Sequence, residues 1–454
     1  MRLTLFISRH SPRTWSITFG TIASLCAAAI GCSSASSSPG ETACVSTSDA
    51  AAVDATVALS TMSDGASVDA ASDGNTLSGI PSAQQITFTT LYKSPLALEG
   101  LTGDSAGNLY VAGRGGTPTC PVWRIATPSG MATLVGNIPS PCTPFGLTFN
   151  SAGALFIADT DTIWTLTPNA QTPPTATAFA TGVPGANGIA FDKAGNLWVS
   201  DGVTDQGRVW KVTSDGTVTE AFRIQTLANE VNLVALEDAG PEAGVGGVGR
   251  DPRALPPGSL TITPSTRTAA DTNGSVALVA NGILFRPDGT MLVADTGRGA
   301  IWRVTLDSQG NVQSPMGCDT TFLPDTLCLQ DILVEHPILE GLDGFVLDTA
   351  GNIWGLANER NAIVVVTPSG GVQEVFRNAP DPTTMLRNGG PLEFPTSPIF
   401  LGQQLCITHF DVSRRDNFPN TGGEVGPEDG GAGVAKVSCL DQALPYPGLP
   451  LPVQ

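Results

Sequence analysis

The side chains best suited to chemistry occupy one recurring position, directly before the first glycine of a repeated segment or at its equivalent. We call these the slot residues. In chain order they are Glu99, Phe145, Asn187, Asn281, Asp343 and Ser397. Two carboxylates and two amide carbonyls form an oxygen-only ligand set, which suits Ca²⁺ or another hard divalent cation. Four protein ligands also leave coordination positions for water and substrate, as in a catalytic metal site.

A purely structural explanation of the same residues exists. Asn-Gly and Asp-Gly are common turn dipeptides, so each slot residue taken singly can be explained as part of a strand-start turn. Four carboxylate or amide side chains among six equivalent positions favour a shared site.

The slot residues belong to a repeat. Five copies align and a sixth, at 397–409, is degenerate; the five are EGLTGDSAGNLYVA (99–112), FGLTFNSAGALFIAD (145–159), NGIAFDKAGNLWVSD (187–201), NGILFRPDGTMLVAD (281–295) and DGFVLDTAGNIW (343–354). Each copy predicts a short strand, a tight turn and a second strand, and two further strands follow it. Four antiparallel strands per unit of about 45 residues are typical of a propeller blade.

The repeat therefore predicts an all-β fold, a six-bladed β-propeller with four-stranded antiparallel blades, over residues 84–454. The strand Ile86–Tyr92 precedes the first copy and is expected to complete the last blade. Residues 223–275 interrupt the period and are interpreted as an insertion between the third and fourth blades. The glycine after each slot residue fits a strand start crowded near the central channel.

The N-terminal region predicts export. Residues 1–31 read as a signal peptide, because arginines precede an apolar run that stops at Gly31-Cys32. Small residues followed by Cys32 resemble a bacterial lipobox, so Cys32 is the expected lipidation site; an ordinary secretory signal with an incidental cysteine is the alternative. Residues 32–83 are rich in Ser, Ala, Thr and Asp, which predicts a disordered linker.

Composition limits the partners. The formal charge is −19 over 454 residues, which argues against nucleic acid or an anionic lipid surface as a partner. The expected location is the cell envelope, in the outer membrane and facing the periplasm or the exterior, with the N-terminal lipid as the sole membrane contact. The folded part is expected to be monomeric.

An oxidising compartment permits disulfides. The predicted pairs are Cys120 with Cys142, Cys318 with Cys328 and Cys406 with Cys439, which leaves Cys44 unpaired in the linker. The cysteines show no CxxC spacing and have no accompanying histidine, so a zinc or redox centre is disfavoured.

The repeated runs, among them ANGI at 186–189, ANGILFRPDG at 280–289 and LDGFVLD at 342–348, resemble the senescence marker protein/gluconolactonase family of six-bladed propellers. The resemblance implies a divalent cation on the propeller axis, held by Glu99, Asn187, Asn281 and Asp343. It also implies hydrolysis of a lactone or related ester, with Asp343 activating or orienting the water. The sequence departs from the family at Gly185, where sugar-binding members carry an arginine.

The ends of the second strands are expected on the same face as the slot residues. Asp159, Asp201 and Asp295 at these ends are interpreted as turn-capping residues, with a functional role as the alternative. His409 occupies the same end in the sixth copy and is the second candidate for an acid or base. The two-histidine site of paraoxonase-like propellers is not expected, because His336 and His409 are the sole histidines after the signal peptide.

Two functions follow from these observations. The favoured one is a calcium-dependent lactonase or esterase acting on a small molecule. The alternative is a non-catalytic propeller with NHL-type repeats that serves as a binding or scaffold protein in the envelope. Fold alone does not distinguish them, because many propellers only bind.

Overall fold

Strands make up nearly all regular structure in the described part of the chain. The computed structural model describes residues 77–204, 207–225, 280–313, 325–380, 387, 389–410 and 435–451, all within one compact unit. The described strands are β1 (Phe88–Lys93), β2 (Thr102–Gly103), β3 (Leu109–Ala112), β4 (Thr119–Ala126), β5 (Met131–Pro139), β6 (Pro144–Phe149), β7 (Leu155–Leu166), β8 (Thr177–Phe191), β9 (Leu197–Asp201), β10 (Arg208–Val212), β11 (Val218–Ile224), β12 (Ala280–Phe285), β13 (Met291–Asp295), β14 (Ala300–Leu306), β15 (Val312–Gln313), β16 (Thr326–Leu327), β17 (Ile332–Glu335), β18 (Leu342–Leu347), β19 (Ile353–Ala357), β20 (Ala362–Val366), β21 (Val372–Arg377), β22 (Pro395–Leu401), β23 (Gln404–His409) and β24 (Lys436–Leu440).

Helical structure in the described ranges is confined to short 3-10 turns at Ala83–Gln85, Leu329–Asp331, Pro337–Leu339 and Asn358–Arg360. Accordingly, none of the described helices has the length and apolar character needed to cross a bilayer.

The strands form six antiparallel blades, which confirms the predicted propeller. Three sheets are single blades in the order β2-β3-β4-β5, β12-β13-β14-β15 and β18-β19-β20-β21. A seven-stranded path from β6 to β11 and β16 contains the second and third blades, because β7 and β8 each run through two strand positions. The hydrogen bond from Thr165 Oγ1 to the Leu155 carbonyl, 3.1 Å long, shows β7 folding back on itself.

The last blade joins the two ends of the propeller. Its order is β1-β24-β23-β22, and β1 pairs antiparallel with β24, so the strand before the first repeat completes the sixth blade as predicted. Leu77 and Ile80 pack against the apolar cluster shared by the last two blades. The packed chain therefore begins before residue 84, the start expected from the sequence, and the rest of the predicted linker and signal lies outside the described residues.

A feature that the sequence did not indicate follows β15. Strand β16 pairs in parallel with β11 of the third blade, and β17 then pairs with β14 of the fourth. This segment therefore bridges two blades at their edges. Of the insertion predicted at 223–275, the structure describes only the end of β11 and Gln225.

Two predicted disulfides are confirmed. Cys120 is bonded to Cys142 and Cys406 to Cys439, with Cα–Cα distances of 6.1 and 3.9 Å. Cys328 is also disulfide-bonded, and its predicted partner Cys318 lies outside the described residues, as do Cys32 and Cys44.

Candidate functional site

The slot residues lie on neighbouring inner strands and are tied together through their backbones. A Cβ added to Gly188 would lie 2.5 Å from the carbonyl oxygen of Asn281, and one added to Gly282 would lie 2.5 Å from that of Asp343. Such distances exclude any side chain, which explains why glycine follows the slot in five copies. Each glycine thus brings its blade against the slot residue of the next blade.

The sixth slot is Thr396, not Ser397 as the sequence suggested. Pro395 pairs with His409 as Leu342 pairs with Ala357, which places Thr396 at the position of Asp343. A Cβ on Gly344 would lie 2.6 Å from the Thr396 carbonyl, and Thr396 Oγ1 donates to the Glu99 carbonyl at 2.8 Å. The error arose because this copy has no glycine to mark the register, and the bulge between Pro395 and Pro398 is invisible in the sequence.

Four slot side chains contact the residue fifteen positions later, which lies one or two positions after the end of the second strand of the same blade. We call these the facing residues. The pairs are Glu99 with Arg114, Asn187 with Gly202, Asn281 with Thr296, and Asp343 with Asn358. The second strand returns to the face on which the first began, so the constant offset reflects the hairpin length.

Glu99 and Asn187 are in direct contact, as a shared site requires. Asn187 Nδ2 donates to Glu99 Oε1 at 3.3 Å, and Glu99 Oε2 forms an ion pair with Arg114. Asn187 also packs closely on its facing residue, since a Cβ on Gly202 would lie 2.5 Å from Asn187 Nδ2. One carboxylate of the predicted ligand set is therefore partly neutralised by a guanidinium that the sequence reasoning had missed.

The other two predicted ligands are held by their own facing residues. Asn281 Nδ2 donates to Thr296 Oγ1 at 3.2 Å, and Asn358 Nδ2 donates to Asp343 Oδ2 at 2.8 Å. Asn281 and Asp343 meet through the backbone contact at Gly282. All four predicted ligands are buried.

The side-chain oxygen of Asn358 indicates that a cation or a water molecule fits among the predicted ligands. Asn358 is 4% exposed, and its Oδ1 is a buried acceptor with no partner among the described residues. Buried polar atoms are nearly always hydrogen-bonded or ligated, and an oxygen beside a carboxylate suits a hard cation. No described group of three or more His, Cys, Asp or Glu side chains could hold a metal, so a cation here would need the amide oxygens.

His409, the second candidate for an acid or base, is buried and hydrogen-bonded through both ring nitrogens. It is fully buried; Nδ1 accepts from the Glu393 amide at 3.2 Å, so Nε2 carries the proton and donates to Ser438 Oγ at 2.6 Å. Burial, and secondarily the charge of Lys436, holds the pKa of His409 well below its usual value. Both ring nitrogens are thus engaged within the sixth blade.

The three aspartates that end second strands bond within their own blades, in keeping with the capping interpretation. Asp159 accepts from the Thr143 amide and Trp164 Nε1, whereas Asp295 accepts from the amide and Nε of Arg298. Asp201 also explains the departure at position 185. A Cβ on Gly185 would overlap Asp201 Oδ1, and the φ of 80° at this glycine also disfavours a side chain, so an arginine does not fit there while Asp201 keeps its position.

Sequence reasoning missed Arg114, Asn358 and Thr396. The signal for the first two was available, because the repeat places a facing residue fifteen positions after every slot in the five regular copies.

Comparison with known proteins agrees with this architecture. The sequence profile described as "SMP-30/Gluconolactonase/LRE-like region" matches residues 246–408, a range that contains three of the slots. Similar solved structures include a luciferin-regenerating enzyme (14% identity, TM-score 0.50, covering 80% of this chain and 97% of that chain). Others are the calcium-binding protein regucalcin from Agrobacterium tumefaciens strain C58 (18%, 0.48, 80% and 95%) and a gluconolactonase from Xanthomonas campestris (14%, 0.43, 80% and 91%). No curated protein matches the sequence.

Proposed function

We propose that this chain, whose residues 246–408 match the SMP-30/gluconolactonase/LRE-like region, is a lactonase- or esterase-type hydrolase that uses calcium or another hard divalent cation. The observation that carries the proposal is the Asp343–Asn358 pair: the Asn358 amide donates to the Asp343 carboxylate, and its buried oxygen has no partner among the described residues. The ligands would be Asp343, Asn281, Asn187 and Glu99, with Asn358 Oδ1 as an additional oxygen.

The roles of the side chains follow from their contacts. A bound divalent cation would supply Lewis-acid polarisation of the substrate carbonyl. Asp343 would orient the attacking water and accept its proton, and Asn358 would hold the Asp343 carboxylate in place. His409 receives no catalytic role in this proposal, because its two ring nitrogens are bonded to Glu393 and Ser438.

The test combines metal content with turnover. Purified protein is analysed for bound metals and assayed on lactones and aryl esters, with Asp343→Asn as the variant and the exposed Asp161→Asn as the matched control. We expect calcium to raise the thermal midpoint of the wild type and of Asp161→Asn but not of Asp343→Asn, which should also lose turnover. Equal calcium stabilisation and turnover in all three proteins would overturn the proposal.

The ion pair between Glu99 and Arg114 favours a second candidate, a binding propeller without catalysis, because it occupies a ligand oxygen. In that case the metal analysis would find no divalent cation, and Asn281→Ala would lose a captured envelope partner without any change in metal content.

The proposed location rests on Cys32 at the lipobox-like sequence. Mass spectrometry of the mature N-terminus should find a diacylated cysteine, and Cys32→Ala should release the protein from the membrane fraction. A wild-type protein recovered without lipid in the soluble fraction would contradict the anchor and leave the hydrolase proposal untouched.

A further inference from the structure

The guanidinium of Arg114 is held beside the slot residues by one carboxylate and two aromatic side chains, an arrangement that we call the Arg114 clamp. Its Nη1 forms the ion pair with Glu99, and its central carbon lies 4.3 Å from the ring centroid of Phe145 and 4.4 Å from that of Phe410. Two aromatic faces and one carboxylate fix the plane of the group. This contact also accounts for the one apolar slot residue, since Phe145 supplies a wall of the clamp.

One edge of the clamped guanidinium makes no hydrogen bond in the described part of the chain. Nε and Nη2 donate to no described residue, and neither is among the buried polar atoms that lack a partner; the Arg114 side chain is 15% exposed. These two N–H groups point the same way from a planar fork, an arrangement that matches the two oxygens of a carboxylate.

Arginines at other positions of two other blades use this edge within the protein. Arg208 directs Nε to Asp201 and Nη2 to Thr204, and the buried Arg298 directs Nε to Asp295 and Nη2 to the Gln225 carbonyl. The first blade has no aspartate at the end of its second strand, where Ala112-Gly113 stands instead. Arg114 therefore pairs with the slot residue Glu99, and its bidentate edge has no hydrogen bond to a described residue.

We propose that Arg114 binds a carboxylate of the substrate, so that the hydrolase acts on lactones or esters that bear a carboxylate. This inference deepens the proposed function and rests on it for the reaction, though not for binding. A largely buried guanidinium discriminates strongly between a carboxylate and a neutral group of the same shape. With the neutral group bound, its desolvated N–H donors would lack the charged acceptor that they need.

Binding is tested with benzoate and its neutral isostere benzamide, titrated into the purified full-length protein by ligand-observed NMR. We expect the wild type to bind benzoate more tightly than benzamide. Arg114→Gln should weaken benzoate binding at least tenfold and leave benzamide unchanged, and Arg114→Lys should weaken it less, because lysine keeps the charge without the fork. Arg303→Gln, an exposed arginine on β14, is the matched control and should bind like the wild type.

Equal wild-type affinity for the two probes, or undiminished benzoate binding by Arg114→Gln, would overturn the proposal. Should Arg114→Gln fail to fold, the wild-type ratio and Arg114→Lys decide in its place. A turnover arm compares 4-nitrophenyl hydrogen succinate with 4-nitrophenyl acetate, and Arg114→Gln should raise KM for the anionic ester alone. Benzoate binding that depends on Arg114, without hydrolysis of either ester, would contradict the hydrolase proposal and support the carboxylate site. Hydrolysis of the esters without Arg114-dependent benzoate binding would support the hydrolase proposal and contradict the carboxylate site.

Discussion

Asn358 donates from Nδ2 to Oδ2 of Asp343 across 2.8 Å, while Oδ1 of the same amide is buried without a partner among the described residues. Leaving a buried acceptor unsatisfied costs about 1–3 kcal/mol. The amide is therefore anchored at one end and unsatisfied at the other, immediately beside a carboxylate. A cation bound by both Asp343 and Asn358 Oδ1 would supply this oxygen with a partner.

Replacing Asn358 by Asp should change the free and calcium-bound proteins in opposite directions. A second carboxylate beside Asp343 repels the first, so the thermal midpoint without calcium should fall. Calcium should then bind at least tenfold more tightly, a gain of about 1.4 kcal/mol, because the added charge strengthens an oxygen ligand. Calorimetric titration and thermal unfolding with and without calcium measure both effects.

The control is Asn169→Asp, an exposed turn residue whose Oδ1 accepts from the Gln171 amide, which a carboxylate can still do. Calcium affinity that does not increase in Asn358→Asp would show that Oδ1 is not a ligand.

A methyl group on Gly282 should destabilise the ring of blades. The added Cβ would lie 2.5 Å from the Asp343 carbonyl, so the fourth and fifth blades must separate. Overpacking of this kind costs about 1–3 kcal/mol. Thermal unfolding of Gly282→Ala should show a lower midpoint and weaker calcium binding, because Asp343 moves with its backbone. Gly389→Ala is the matched control, since a Cβ there meets nothing within 4 Å; equal midpoints for the two variants would refute the close contact.

Acidification should destabilise the protein through His409. Burial depresses the pKa of this residue in the folded state, so below about pH 6.5 the unfolded chain binds a proton that the folded chain does not. Its stabilising contribution is complete above that pH and declines as the pH falls, by at most about 1.4 kcal/mol per unit. Unfolding midpoints between pH 7.5 and 4.5 should fall more steeply for the wild type than for His409→Gln. His336→Gln serves as the control, and an unchanged slope in His409→Gln would contradict the assignment.

Removal of the Cys406–Cys439 disulfide should weaken the closing blade. The bond joins β23 to β24 across a sequence separation of 33 residues, and β24 is the strand that pairs with β1. Loss of a cross-link over a loop of this length costs about 3–4 kcal/mol in the chain-entropy description. The double variant Cys406→Ser/Cys439→Ser should therefore unfold at a lower temperature than the wild type. Added reductant should lower the midpoint of the wild type by more than that of the variant, because the variant no longer has this bond. A midpoint equal to that of the wild type would show that strand pairing alone closes the propeller.

Much of this fold can be read from local patterns. The spacing of the x-Gly slots, the Ala-Gly-Asn and Pro-Asp-Gly turns and the alternating strands predicted six blades. The unmatched strand before the first copy predicted how the ends meet, and β1 pairs with β24 accordingly. Strand pairing within a blade is local and carries its own turn signals, which is why these predictions held. The strands β16 and β17 have no such signal, since each joins an edge distant in sequence.

The sequence by itself determined which residues occupy the five regular slots and that glycine must follow them. Only the tertiary structure decided what those residues meet: Arg114 at Glu99, Asn358 at Asp343, and Thr396 as the sixth slot. The physical reason is that a repeat fixes spacing along a strand, whereas side-chain partners depend on hairpin length, bulges and the approach of neighbouring blades. The Arg114 clamp illustrates this most clearly, because its walls come from the second and sixth blades and its carboxylate from the first.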